Sequence, residues 1–136
     1  SEEEKATIWA YDYDTNTWEA LESKGGPTFR HGHTMVYHPG TDRIILFGGH
    51  HGGDVYFSDE TWAYDYNSNT WTQLEPANHP SGRRFHSMVY DEAADKMVLF
   101  GGIAGNWLKE EVNDELWIFD PVLDEWSQVT PDSLNP

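Results

Sequence analysis

One stretch of this chain recurs at a fixed spacing, and that recurrence limits its folding more than any other feature. Residues 9–21 read WAYDYDTNTWEAL and residues 62–74 read WAYDYNSNTWTQL, with a looser copy, WIFDPVLDEWSQV, at 117–129. Trp9 and Trp18 return 53 residues on as Trp62 and Trp71, and Trp71 returns 55 residues on as Trp126. Two further markers keep step at 53: Leu46-Phe47-Gly48-Gly49 becomes Leu99-Phe100-Gly101-Gly102, and His33 to Tyr37 becomes His86 to Tyr90. A unit of about 50 residues with a Gly-Gly doublet and a downstream aromatic pair implies an array of like units that bury their surfaces against one another.

Within each unit the pattern is that of short strands. Arg43-Ile44-Ile45-Leu46-Phe47 and Lys96-Met97-Val98-Leu99-Phe100 are apolar runs stopped by glycine pairs, which predicts strands buried on both faces. Thr34 to Tyr37 and Ser87 to Tyr90 precede them, with His38–Asp42 and Asp91–Asp95 as turns. Thr61 to Asp65 and Trp71 to Leu74 supply a third and a fourth strand around the turn Asn67-Ser68-Asn69. The glycine pairs predict positive φ where no Cβ fits, so Gly49→Val or Gly102→Val is expected to be strongly destabilising. No segment has helical periodicity, and the fold class is all-β.

The order His-x-Met-Val-Tyr, an apolar run ending in Gly-Gly, then Trp-x-Tyr-Asp and a final Trp resembles the kelch repeat, from about Ile8 to Val129. The resemblance implies that each repeat is a four-stranded antiparallel blade of a β-propeller. On that reading residues 1–27 are an acidic connector plus half a blade, its third and fourth strands at 6–21. Residues 28–80 are a complete blade, and 81–136 another with a C-terminal tail. Residues 1–5 and 131–136 read as solvated connectors. Two and a half blades make a partial propeller, since similar rings have at least about four. The remaining blades are expected from a longer chain or from further copies of this one, because open strand edges favour association.

The formal net charge of −16 argues against nucleic acid and anionic membrane surfaces as partners, both of which need positive fields. It suits basic partners or cations, and it also keeps an aromatic-rich chain soluble. With no cysteine, disulfides, thiolate metal sites and cysteine nucleophiles are absent from these 136 residues. No run has the length of a membrane helix or the form of a signal peptide, which leaves cytoplasmic and cell-surface locations open.

In antiparallel blades the loops joining strands two and three share a face with the connections between blades. That face would gather residues 48–59, 101–113, 21–30 and 75–84, and loops on a rigid scaffold are the default contact surface. His50, His51 and Asp54 carry donors suited to a divalent metal, although their spacing is not diagnostic. Asp54, Asp59 and Glu60 have no recognisable calcium pattern. Arg30 with His33 and Arg83 with His86 occupy one repeat position. They read either as a basic ring around a central channel or as structural bonds, with Asp59 and Asp114 as partners. Repetition in each blade favours the structural role. Arg84, one position off that register, together with Trp107 and Lys109, completes the set of candidate contacts.

Two classes of function remain. The first is a non-catalytic scaffold, with no cofactor, that holds a protein or glycan on its long loops or forms a unit of a surface assembly. The second is part of a carbohydrate-acting enzyme on the same scaffold, oxidase- or epimerase-like, with most catalytic residues elsewhere. The copper-radical oxidases that share this repeat need a tyrosine–cysteine crosslink, which this segment does not supply. No nucleophile stands beside a base in the sequence pattern, and the scaffold reading is preferred.

Overall fold

The computed structural model describes residues 6–130 and consists of strands and turns. The expected connectors at 1–5 and 131–136 lie outside the described residues. β1 (Ile8–Asp12) and β2 (Thr17–Leu21) form a two-stranded antiparallel sheet. β3 (Thr34–His38), β4 (Arg43–Phe47), β5 (Thr61–Asp65) and β6 (Thr70–Leu74) form a four-stranded antiparallel meander. β8 (Ser87–Asp91), β9 (Lys96–Phe100), β12 (Leu116–Asp120) and β13 (Glu125–Val129) form a second. Three short strands complete the chain: β7 (Arg83–Arg84), β10 (Ile103–Asn106) and β11 (Lys109–Val112). The two four-stranded sheets have the form of complete kelch-type blades and the two-stranded sheet that of half a blade, while β11, β10 and β7 form a separate three-stranded sheet.

The turns within the blades share one chemistry. Asp12, Asp65, Asp91 and Asp120 each end a strand, and each carboxylate accepts the N–H groups two and three residues on. The turn then leaves through Asn16, Asn69, Asp95 or Asp124, each at φ between 50° and 56°, a conformation that Asn and Asp tolerate better than other side chains. Tyr11, Tyr64 and Tyr90 lock three of these turns by donating their hydroxyls to Asn16, Asn69 and Asp95. At β3–β4 the same turn is built differently. His38 replaces the capping Asp, accepts the Thr41 N–H on Nδ1, and donates from Nε2 to Asp95 of the next blade at 2.8 Å.

The core lies in the seams between blades. Ile45, Phe47 and Ala63 of the middle blade pack with Met88, Met97, Leu99, Trp117, Phe119 and Trp126 of the last. The seam toward the half-blade holds a smaller buried set, Leu46, Tyr64 and Trp71, with Ile8, Ile44 and Trp62 partly buried. The Gly-Gly pairs have positive φ as expected, 70° and 97° at Gly48 and Gly49. A Cβ on Gly48 would lie 2.6 Å from the Arg83 carbonyl of the next blade. Two expectations fail. β4 is buried on both faces at Ile45, Leu46 and Phe47, but β9 is not: Val98 is half-buried and Phe100 exposed, because no described blade covers that flank. Residues 101–113 are also no simple loop, since β10 and β11 fold them into a hairpin.

Candidate partner-binding surface

The base of the long-loop face is a polar girdle that repeats from blade to blade. The Arg30 guanidinium donates to the carbonyls of Thr28 and Gly48, to Ser58 Oγ and to Glu60 at 2.6 Å. Arg83 makes the equivalent set with Ser81, Gly101, Asn113 and Glu115, again at 2.6 Å to the carboxylate. Both arginines are buried, and their polar groups are satisfied within their own blades. The sequence pointed to Asp59 and Asp114, and the partners are in fact Glu60 and Glu115. Successive side chains of an extended segment leave on opposite sides, so only the second acid of each pair faces the guanidinium. Trp62 and Trp117 fix those carboxylates further through their indole N–H groups. Hydrogen bonds from Arg83, Trp117 and Asn113 hold the Glu115 carboxyl below its usual range.

The histidines beside the girdle are kept neutral. Burial first, and then the Arg83 charge, lowers the His86 pKa to about 4. Burial, Arg30 and His31 lower that of His33. His86 Nε2 lies 2.7 Å from Thr34 Oγ1 across the blade seam.

Above the girdle the two long segments join. His31 and His50 exchange both backbone hydrogen bonds, at 3.1 and 2.9 Å. At the equivalent place in the last blade β7 pairs with β10, Arg84 opposite Ile103. Tyr56 bridges to Asn106, and the Trp107 N–H donates to the Val55 carbonyl at 3.2 Å. Loop 48–59 and the β10–β11 hairpin are therefore one ledge. Asn106 shapes the hairpin tip by accepting the N–H groups of Leu108 and Lys109.

The candidate residues are placed as follows. His50 is buried, with Nε2 2.9 Å from the Asp54 carbonyl, and His51 Nδ1 is 3.7 Å from the Asp54 carboxylate. Among the described residues no group of three His, Cys, Asp or Glu side chains is arranged to hold a metal ion. Trp107 is exposed at the hairpin tip, and Lys109, also exposed, pairs with Glu111 at 3.2 Å. Arg84 is largely buried rather than free: it lies between the rings of Phe57 and Phe85, 4.8 and 4.9 Å from their centroids, and pairs with Glu110. The ledge thus brings Arg84, Trp107 and Lys109 to one face with the histidine loop.

Sequence reasoning missed Tyr56, Phe57 and Phe85. Phe85 stands one repeat on from Gly32, which has φ 70°, and adopts φ 58° with its ring 59% exposed. A bulky residue in the left-handed region is strained by roughly 1–3 kcal/mol. The signal was legible as a departure from the repeat, an aromatic where the other copy has glycine.

Comparison with known proteins agrees with this architecture. The family model described as the KLHDC2/KLHL20/DRC7 Kelch-repeats domain matches residues 1–136. Mei4-dependent protein 6 of Schizosaccharomyces pombe is 32% identical over 112 residues, covering 79% of this chain and 16% of that protein. Kelch domain-containing protein 3 of Homo sapiens is 27% identical over 139 residues, 95% of this chain and 35% of its own. N-(sulfonatooxy)prop-2-enimidothioate sulfolyase of Thlaspi arvense is 31% identical over 101 residues, 71% of this chain and 28% of the enzyme. The chain spans about a third or less of the length of these relatives.

Proposed function

Since the chain belongs to the kelch-repeat family, whose domains generally mediate protein–protein interaction, we propose that it is a non-catalytic scaffold that holds a protein partner on its long-loop ledge. One observation carries the reading. The two long segments are tied together by backbone bonds, and the ledge they form carries the exposed Tyr56 and Trp107, with Arg84 stacked between Phe57 and the exposed Phe85 beside them. Exposed aromatics and a stacked arginine are the residue types that dominate binding energy at protein interfaces. Strain at Phe85 supports it, because the fold itself would be served by the glycine of the other repeat.

A catalytic reading would draw on the Thr34 hydroxyl and His86. That imidazole, with its pKa near 4 and its place in a buried seam, is a weak base at neutral pH. In the metal reading His50 would ligate through Nδ1, since Nε2 donates to the Asp54 carbonyl, but among the described residues His50, His51 and Asp54 are not arranged as a group of three that could hold a metal ion.

A photo-crosslinking residue at position 107, compared with one at position 13 on the opposite turn face, tests the scaffold reading. Protein adducts at 107 that vanish with Phe85→Gly and Tyr56→Ala are expected. Adducts at 13 alone, or glycan binding without protein adducts, would overturn it.

A further inference from the structure

Each complete blade is entered by a connector that passes the outer edge of its last strand, and only one of the two closes onto that edge. Residues 22–26 lead into the middle blade. Lys24 bridges to Thr70, donates its N–H to the Asn69 carbonyl at 3.3 Å and accepts the Trp71 N–H at 3.2 Å. The Asn69 side-chain amide donates to the Glu22 carbonyl at 2.9 Å. Gly25 and Gly26, at φ 71° and 108°, then run beside the Trp71 ring, which a Cβ on Gly26 would meet at 2.6 Å. One extended residue thus occupies the outer edge of β6.

One repeat on, residues 75–79 pass the start of β13 with none of these bonds among the described residues. Asn78 and His79 stand in place of the two glycines, neither has positive φ, and neither could approach a tryptophan ring so closely. Pro76 replaces Ser23 and stiffens the approach. Asp124 replaces Asn69, so its carboxylate has no N–H to give, and Arg43 holds it at 2.8 Å. A groove of about 440 Å3 is left between connector and strand, bordered by Leu74, Glu75, Pro76, Leu123, Asp124 and Glu125. β13 pairs with β12 in the register of β6 on β5, so the Trp126 backbone N–H and the Asp124 carbonyl aim outward as their counterparts do. Arg43 neutralises Asp124, whereas Glu75 and Glu125 are exposed and no lysine or arginine lines the groove. Leu123, 63% exposed, stands where the middle blade has Ser68.

We propose that this groove receives an extended segment of a partner protein, with a lysine or arginine at the place that Lys24 holds on β6. The segment's backbone accepts the Trp126 N–H and donates to the Asp124 carbonyl. Its cationic side chain meets Glu75 and Glu125, and an apolar neighbour covers Leu123. Strand addition of this kind draws affinity from backbone bonds and specificity from the flanking side chains. A second copy of this chain is the wrong donor, because its own residues 22–26 are already bonded to β6. None of the lining residues belongs to the ledge, so this surface stands or falls apart from the ledge reading.

The test is a titration of the 15N-labelled 136-residue chain with an unlabelled, end-capped peptide copying residues 22–27, followed on the backbone N–H signals. A saturable shift at Trp126 with Trp71 unmoved is expected, weakened at least about tenfold when the peptide carries Lys24→Glu. No saturable shift, or equal binding of the two peptides, overturns the proposal. A Trp126 shift that follows protein concentration without peptide also overturns it and assigns the groove to a second copy. A graft checks the location. With residues 22–26 in place of residues 75–79, the connector should close the groove, slow exchange of the Trp126 backbone N–H and abolish the peptide shift. Peptide binding that survives the graft overturns the proposal. So does a Trp126 backbone N–H that already exchanges as slowly as that of Trp71 in the ungrafted chain, since the connector then closes the groove unaided.

Discussion

The two seams of this molecule are built to one plan with different contents. Between the middle and last blades, Phe47 fills the space between Trp126 and His86, Trp126 is bonded to Thr61, and His38–Asp95 and Arg43–Asp124 pairs cross the boundary. Between the half-blade and the middle blade, Trp71, His33, Met35 and Leu46 hold the same positions around a cavity, and the Trp71 N–H has no partner among the described residues. The tilted aromatic pair in the outer strands is nearly identical in both, 4.9 Å and 46° for Tyr64–Trp71 and for Phe119–Trp126. It survives even in the half-blade, where Tyr11 and Trp18 keep 4.9 Å although Trp18 is 65% exposed. Each blade thus sets its own aromatic geometry, and the neighbour decides whether that geometry becomes core.

The largest expected contrast lies at the end of the second strand. Phe47→Ala should lose about 3–5 kcal/mol in urea denaturation, for the ring itself and the cavity left behind. Phe100→Ala, one repeat on and exposed, should stay within about 0.5 kcal/mol. Equal losses would break the comparison.

Next comes acid sensitivity. His86 is held neutral in the fold, with its pKa near 4, and gains a proton in the unfolded chain near 6.5. The unfolded state therefore binds more protons between those values, and stability must fall as pH drops through that window, by up to about 3 kcal/mol. His86→Gln should flatten the decline above pH 4.5 in denaturation midpoints measured against pH. His33→Gln should do so less, because its ring borders an open cavity. Below that window Glu60 and Glu115, whose pKa values are lowered in the fold, add their own loss as they protonate.

Smallest is the indole bond. Trp126→Phe and Trp71→Phe lose similar ring area, but only the first also removes a hydrogen bond. Their costs should differ by about 1 kcal/mol in calorimetric or urea unfolding. A difference of opposite sign would mean that the Trp71 N–H is satisfied in solution.

Much of this was legible in the sequence because the repeat carries it. Strand positions, the glycine pairs and the roles of Arg30 and Arg83 follow from residues that recur at fixed offsets. The choice of Glu60 over Asp59 was not legible, since both acids are adjacent and only the direction of the extended chain separates them. The β10–β11 hairpin was hidden because Gly105 and Asn106 read as loop residues, and its pairing with β7 is non-local. Of the candidate site, Trp107 and Arg84 stood out as breaks in the repeat. Phe85 did too, had each repeat position been compared with its partner. The joining of the loops through Val55 and Trp107 depends on backbone geometry that no residue pattern announces.

The most direct measurement of the contrast between the seams is hydrogen exchange at the two equivalent indoles, Trp71 and Trp126, by two-dimensional NMR. The filled seam predicts that the Trp126 N–H exchanges only through global unfolding, and that Trp71 exchanges at least about a hundredfold faster through its open cavity. Equal protection of the two would contradict the account.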